Sequence, residues 1–201
     1  MTVKYGYAGK ILRVDLSSGE IAHMRTMEYT DRFLGGRGIA AKIYWDEVSP
    51  QTGALDVENR LLFMTGPLAG FSGIAGPRWT ACGKSPATNP EHCSYTNIGG
   101  SWGAQLKFAG YDGIVIKGES DRPIYLSIQD GVAEIRDAST LWRQRTVQAR
   151  ETLKTELGSS TRVVACGPAG ENLVTFAGLI ADNDASGSNG FGAVMGAKKL
   201  K

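Results

Sequence analysis

Four stretches of this chain have residue types and spacing suited to holding an anion or a hard cation. Gly187-Ser188-Asn189-Gly190-Phe191-Gly192 runs into Ala193-Val194-Met195-Gly196. Backbone N–H groups of a glycine-rich loop at a helix start can cradle a phosphate. The same residues serve equally as a turn with close packing, and their spacing is not the dinucleotide fingerprint. Arg78 follows the uncharged stretch Gly66-Pro67-Leu68-Ala69-Gly70. A guanidinium there can make paired bonds to a phosphate or the edge of a flat ring, or it can be solvated or bound to a nearby acid. Asn97 precedes Ile98-Gly99-Gly100, and its amide oxygen suits magnesium or an Asx turn. Gly167-Pro168-Ala169-Gly170-Glu171-Asn172 either holds a helix start near a ligand or ties loops together through Glu171 and Asn172, the reading we favour.

Bond-making sets are harder to find. His23 and His92 are far apart, and no Ser-His-Asp or Cys-His set stands out. The 3 cysteines, Cys82, Cys93 and Cys166, form no C-x-x-C, so no disulfide framework, zinc site or cluster motif is readable. A reducing, cytosolic setting is the simplest expectation. Trp79 and Trp102 lie near the motif loops and can flank a flat ring, although tryptophans in such places are more often core. A net charge of +2 gives no polyanion footprint, so nucleic acid is not expected. The first ten residues do not read as a signal peptide, and no apolar run is long enough to cross a bilayer.

The elements that must position these residues are short. Glycine, at 27 of 201 residues, is well above the usual share of roughly 7%. It clusters where a backbone turns sharply or approaches something closely. Strands are expected at Ile11–Leu16, Ile21–Met24, Leu61–Thr65, Gly113–Lys117 and Val163–Cys166, with an extended Arg78–Cys82 and a hairpin around Asp130-Gly131. Leu173–Ile180 is a further apolar segment. Helices are expected at Ile39–Val48, after a glycine interruption at Gly35–Gly38, at Trp102–Phe108, at Leu141–Leu157, and from Ala193 to Leu200. Thr30-Asp31 offers another helix start, and Lys84–Asn97 reads as a polar loop broken by Pro86 and Pro90. Hairpins mixed with a few helices indicate an α+β fold rather than a doubly wound sheet. Tyr7-Ala8-Gly9 and Phe108-Ala109-Gly110 each precede a strand, a faint sign of duplication.

Eight phrases in order resemble one family. They are Tyr7 to Leu16, Phe33 to Gly38, Glu58 to Phe63 with Thr65 to Leu68, Lys84-Ser85-Pro86, Leu106 to Gly113, Glu134 to Ala138, Gly167 to Leu173, and Gly192 to Gly196. Their order and spacing resemble the amino-terminal domain of aldehyde:ferredoxin oxidoreductases across residues 1–201. The resemblance implies two mixed β-sheets with pseudo-twofold symmetry, forming a base for a tungsten bis-pterin (molybdopterin-type) cofactor whose phosphates are bridged by magnesium. It assigns Arg78 to the pterin, Asn97 to the magnesium side, Gly99 and Gly100 to close approach, and Ala185 and Gly187 to a second phosphate loop. Family members often read H-R-A-A-G-R-G-G-x-G before A-V-M-G. Here Asp182 to Gly192 lacks both arginines, and Asp184 near a phosphate would repel it unless magnesium intervenes.

The whole enzyme, by resemblance, is cytoplasmic, belongs to anaerobic metabolism, and oxidises aldehydes to carboxylates with ferredoxin as electron acceptor. No catalytic residue is assigned to this chain. The 4Fe–4S cluster and the acid–base groups belong to later domains or a partner subunit, and a homodimer is an option. Lys201 falls inside the expected last helix. Two alternatives stand beside this reading. One is a non-catalytic assembly module that keeps the fold. The other is a related tungsten enzyme acting on another substrate, such as an aromatic thioester.

Overall fold

The computed structural model describes residues 6–71, 73, 76–182 and 185–201. Lys10–Asp15 (β1) and Glu20–Arg25 (β2) form an antiparallel hairpin, followed by Gly36–Glu47 (α1), Leu61–Thr65 (β3), Trp79–Ser85 (β4) and His92–Ile98 (β5). Trp102–Phe108 (α2) then returns the chain to Gly113–Lys117 (β6). These strands make one mixed sheet in the order β2-β1-β6-β3-β4-β5, in which only β1 and β6 run parallel. β3 and β6 lie at its centre because Leu61–Thr65 and Gly113–Ile116 are buried throughout, as strands covered on both faces require.

The second half continues with Ile124–Gln129 (β7), Val132–Asp137 (β8), Thr146–Leu157 (α3), Val164–Ala165 (β9), Pro168–Glu171 (α4), Leu179–Ala181 (β10), Ser186–Gly187 (β11) and Phe191–Ala197 (α5). β7 pairs with β8 about the Asp130-Gly131 turn, and β11-β10-β9 form an antiparallel set. The fold is α+β, as expected; the second half follows the order of the first (two strands, a helix, three strands, a helix) except that α4 is inserted after β9 and β6 has no counterpart among the described residues.

Packing follows from alternation along the strands. One face of the six-stranded sheet buries Leu12, Phe63, Trp79, Ile98, Ile114 and Ile116 against α2, α5 and β10. The other buries Ile11, Leu62, Met64, Cys82 and Val115 under Ile39, Ala40 and Ile43 of α1. Trp79 is 1% exposed, and its ring centroid lies 4.4 Å from that of Trp102, so both tryptophans are used in the core. Glu171 does tie loops together: its carboxylate takes the Arg143 N–H at 2.8 Å and the Lys201 ammonium at 2.5 Å.

Several boundaries differ from expectation. Lys84–Asn97 is not a loop: β4 runs to Ser85 and β5 begins at His92. An edge strand exposes one face, so polar residues are compatible with it. The helix expected from Leu141 starts only at Thr146, because Arg143 adopts φ +71° and the Gln148 side chain accepts the Arg145 N–H. α1 starts inside the glycine cluster, at Gly36, and not at Thr30-Asp31. The last helix begins at Phe191 and ends at Ala197, so Lys201 lies beyond it. Of Leu173–Ile180, only the end joins a strand.

Candidate functional site

β5 organises the site. Thr96 and Ile98 point into the core, whereas Tyr95 and Asn97 are exposed toward the α1 side of the sheet. Asn97 stands opposite Thr80 of β4, whose hydroxyl donates to its amide oxygen at 3.0 Å. That bond leaves the amide oxygen a second lone pair and the amide nitrogen both its donors. Asn97 is therefore a strand residue held from its neighbour, and no Asx turn forms.

The N-terminus of α1 stands over the same strands. The Arg37 guanidinium lies 4.4 Å from the Tyr95 ring centroid, a cation–π contact that keeps the charge at the surface. Gly36 sits directly above Thr80, where an added Cβ would come within 3.8 Å of the hydroxyl. No side chain caps this helix at Gly35, and an uncapped first turn carries the positive end of the helix dipole. Arg78 is exposed one residue before β4, with no ion-pair partner among the described residues. Because Trp79 pairs with Ile98, Arg78 falls opposite Gly99 at the same end of the hairpin, where the Trp79 indole N–H donates to the Gly99 carbonyl at 3.3 Å.

The two glycines after β5 differ. A Cβ on Gly99 would meet nothing within 4 Å, so its surface is open. Gly100 has φ +78°, and a Cβ there would lie 2.9 Å from the Asp182 carbonyl and 3.6 Å from the Ala185 Cβ. The strand end and the Asp182–Gly187 loop touch at that point. Gly187 is buried, and its missing Cβ leaves room for Ile98 and Thr96. The loop is clamped onto β5 from outside as well. The Ser188 N–H donates to the Thr96 hydroxyl at 3.2 Å, and the Asn189 amide donates to the Tyr95 carbonyl at 2.7 Å.

Arg78, Asn97, Gly99, Gly100, Ala185 and Gly187 thus gather at one end of the β4–β5 hairpin, with Gly187 in a packing role. Asn183 and Asp184, and with them the expected repulsion from Asp184, lie outside the described residues. The loop's other acid, Asp182, is turned inward, where it accepts the Val163 N–H at 2.7 Å and pairs with Lys154 at 2.8 Å. Sequence reasoning did not assign Arg37, Thr80 or Tyr95 to the site. Its one signal was the Gly35–Gly38 cluster, already a mark of close approach. The histidines take no part: His23 bonds the Tyr111 hydroxyl at 3.0 Å, and His92 is exposed. Among the described residues no group of three His, Cys, Asp or Glu side chains is arranged to hold a metal ion, and no helix is long and apolar enough to cross a membrane.

Residues 11–201 match the family model for the aldehyde ferredoxin oxidoreductase N-terminal domain. The chain belongs to that family. Among its aldehyde ferredoxin oxidoreductase relatives, the tungsten-containing enzyme of Thermococcus kodakarensis is 43% identical over 203 residues, which are 98% of this chain and 33% of the relative. The tungsten-containing enzyme of Pyrococcus furiosus is 42% identical over the same shares. The WOR-like subunit of an aliphatic sulfonate oxidoreductase from Pyrococcus furiosus is 35% identical over 98% of this chain and 34% of its own length. A solved active-site complex, BamBC of benzoyl coenzyme A reductase with 1,5-dienoyl-CoA, superposes with a TM-score of 0.93 at 38% identity. It covers 99% of this chain and 30% of the other. The chain spans about a third of the length of the curated relatives it matches.

Proposed function

We propose that residues 1–201 form the cofactor-seating domain of a tungsten–bis-pterin oxidoreductase that oxidises aldehydes with ferredoxin as electron acceptor. The 4Fe–4S cluster and acid–base groups would lie in further domains or a partner subunit, in the cytoplasm. The observation that carries the reading is the convergence of Arg78, Arg37, Asn97 and the open face of Gly99 at one end of the hairpin. These residues fit a flat, phosphate-bearing group. Gly99 leaves room for a ring to approach the backbone, and two guanidiniums and an uncapped helix end face the same side.

When bound, the cofactor would supply the oxygen transfer and two-electron chemistry at a carbonyl carbon. The chain's own part is binding and electrostatics. Arg78 and Arg37 would neutralise phosphate charge, and Arg78, with no ion-pair partner among the described residues, is suited to paired bonds. The first N–H groups of α1 add backbone donors. Asn97 offers its remaining oxygen lone pair to magnesium, while Thr80 keeps the amide from rotating. Gly100 and Gly187 hold the Ala185 loop against β5, where its backbone would be available to a second phosphate. Four tungsten-containing aldehyde enzymes at 42–43% identity favour the aldehyde reading. The benzoyl coenzyme A neighbour favours the second reading, a related enzyme acting on an aromatic thioester.

The test is metal and phosphorus content of two variants purified with any co-purifying chains. Arg78→Ala should weaken retention by about 1.5–3 kcal/mol, the worth of a charge-assisted contact. Asn97→Leu should lower magnesium while leaving the fold intact. Unchanged tungsten, phosphorus and magnesium in both variants would refute the assignment.

A further inference from the structure

The β4–β5 hairpin brings two thiols to one place. Cys82 pairs with Tyr95 and Lys84 with Cys93, so the two cysteines stand at diagonal positions of adjacent strands. Alternation puts both on the α1 face of the sheet. Cys82 is buried there in one cluster with Ile39, Ile43 and Tyr44, and Cys93 lies at the exposed rim. The Cys82 thiol donates a hydrogen bond to the Cys93 sulfur. That contact raises the pKa of Cys82, with burial adding to it, and lowers that of Cys93.

The pair is not spaced for a disulfide. Diagonal Cβ atoms on neighbouring strands lie about 7 Å apart, whereas an S–S bond needs Cβ atoms about 3.5–4.5 Å apart. Two thiolate–metal bonds of about 2.3 Å each span about 4.0 Å when bent at the metal and about 4.6 Å when straight. A diagonal pair whose sulfurs are in hydrogen-bond contact provides a gap of that kind.

The surroundings select the ion. Tyr44 of α1 lies beside both thiols, and burial, with the two cysteines adding to it, raises the pKa of its phenol, which donates to the Asn59 amide oxygen at 3.4 Å. Lys84, opposite Cys93, turns its ammonium to the Pro50 carbonyl at 2.9 Å, and the Glu91 carboxylate accepts the Ala54 N–H at 2.7 Å. Among the described residues no third His, Cys, Asp or Glu joins the two sulfurs. Structural zinc takes four ligands and hard cations take oxygen. Two thiolates beside an apolar wall suit a soft cation that is satisfied by two ligands.

We propose that Cys82 and Cys93 form a two-thiolate site for a soft monovalent cation of the cuprous type, nearer the turn of the hairpin than Arg78 and Gly99. Binding exchanges two protons for one cation. Both thiols ionise, two sulfur–metal bonds form, no electron is transferred, and the site passes from neutral to a single negative charge. The bridge would brace β5, the strand that also carries Tyr95 and Asn97.

The test follows alkylation of Cys93, whose exposed thiolate is the reactive form. It uses the natively purified protein with any co-purifying chains, kept anaerobic, and is read on the Cys93 peptide by mass spectrometry. Cuprous ion is supplied from a chelator buffer. Alkylation should slow about 100-fold in the wild type, because the second thiolate acts at high effective concentration. Cys166, buried and bonded to the Leu200 carbonyl at 3.5 Å, is the unreactive control. Zinc at the same free concentration should not protect. Cys82→Val, which keeps an apolar side chain in the cluster, should abolish the protection, and Cys82→Ala replaces it if the valine variant does not fold. Excess chelator should restore alkylation without any reductant. No protection in the wild type, equal protection in a folded Cys82 variant, or equal protection by zinc overturns the proposal. So does protection that only a reductant reverses, the mark of a disulfide. Tungsten and pterin do not enter these readouts, so the result is independent of the function proposed above.

Discussion

Gly99 and Gly100 are neighbours whose replacement by alanine should have opposite consequences. Gly99 is not in the left-handed region, and an added Cβ would meet nothing within 4 Å. Gly99→Ala should therefore leave stability unchanged or raise it by about 0.4–1 kcal/mol, through the smaller entropy of the unfolded chain. Gly100 has φ +78° and faces the Asp182 carbonyl at 2.9 Å. A left-handed Cβ costs about 1–2 kcal/mol, and forcing the loop back adds about as much again, so Gly100→Ala should lose about 2–4 kcal/mol. Cofactor content should follow a different order. The Gly99→Ala methyl enters the space assigned to the pterin and should deplete tungsten even though the fold is sound. The assay pairs a urea midpoint with tungsten per chain by mass spectrometry. If Gly99→Ala destabilises as much as Gly100→Ala, the geometry at the strand end is wrong. If Gly99→Ala keeps wild-type tungsten, that face does not meet the cofactor.

Other perturbations probe the frame around the site. Arg37→Ala should lower pterin phosphorus without shifting the denaturation midpoint, since its only described contact is the Tyr95 ring; equal phosphorus would remove Arg37 from the site. Trp79→Ala should cost about 3–5 kcal/mol in urea unfolding, because the ring is buried between Phe63 and Trp102; a loss below 1 kcal/mol on that same scale would contradict the packing. Glu171→Gln should cost about 3–5 kcal/mol by stranding the buried Lys201 ammonium, read from the same curves. Burial, with Arg60 nearby, pushes the Lys198 ammonium down to about 8. From pH 8 to its unfolded value the unfolded chain holds a proton that the folded chain lacks, so stability rises with pH there, by up to about 3 kcal/mol in all. Lys198→Met should abolish that rise, and an unchanged slope of stability against pH would refute it.

The parts of the fold legible in the sequence are those in which local chemistry and tertiary demand agree. The Asp130-Gly131 turn between β7 and β8 was readable because such a pair suits the twist of a two-residue hairpin. β3 and β6 were readable as short apolar runs. β5 was not, since an edge strand that exposes Cys93, Tyr95 and Asn97 looks like a polar loop, and its pairing with β4 is set by the partner. Arg37 was missed for a related reason: only the packing of α1 across the sheet brings it to Tyr95. Gly187 was read as a loop glycine facing a ligand, but it makes room for Ile98. The likeness of the two halves was nearly invisible: the turns after α2 and α5 share one N–H to carbonyl pattern and a positive φ at their middle residue, but that residue is Gly110 in one and Lys199 in the other. Backbone geometry repeats there without repeated residue types.

The central claim is that the end of the β4–β5 hairpin seats a tungsten pterin. The most direct measurement is tungsten and phosphorus per polypeptide in the natively purified protein with any co-purifying chains, for the wild type and for an Arg37→Ala, Arg78→Ala double variant. Near-stoichiometric tungsten with pterin phosphorus is expected in the first and loss of both together in the second. A well-folded wild-type protein free of tungsten and pterin, or a double variant that retains both, would contradict it.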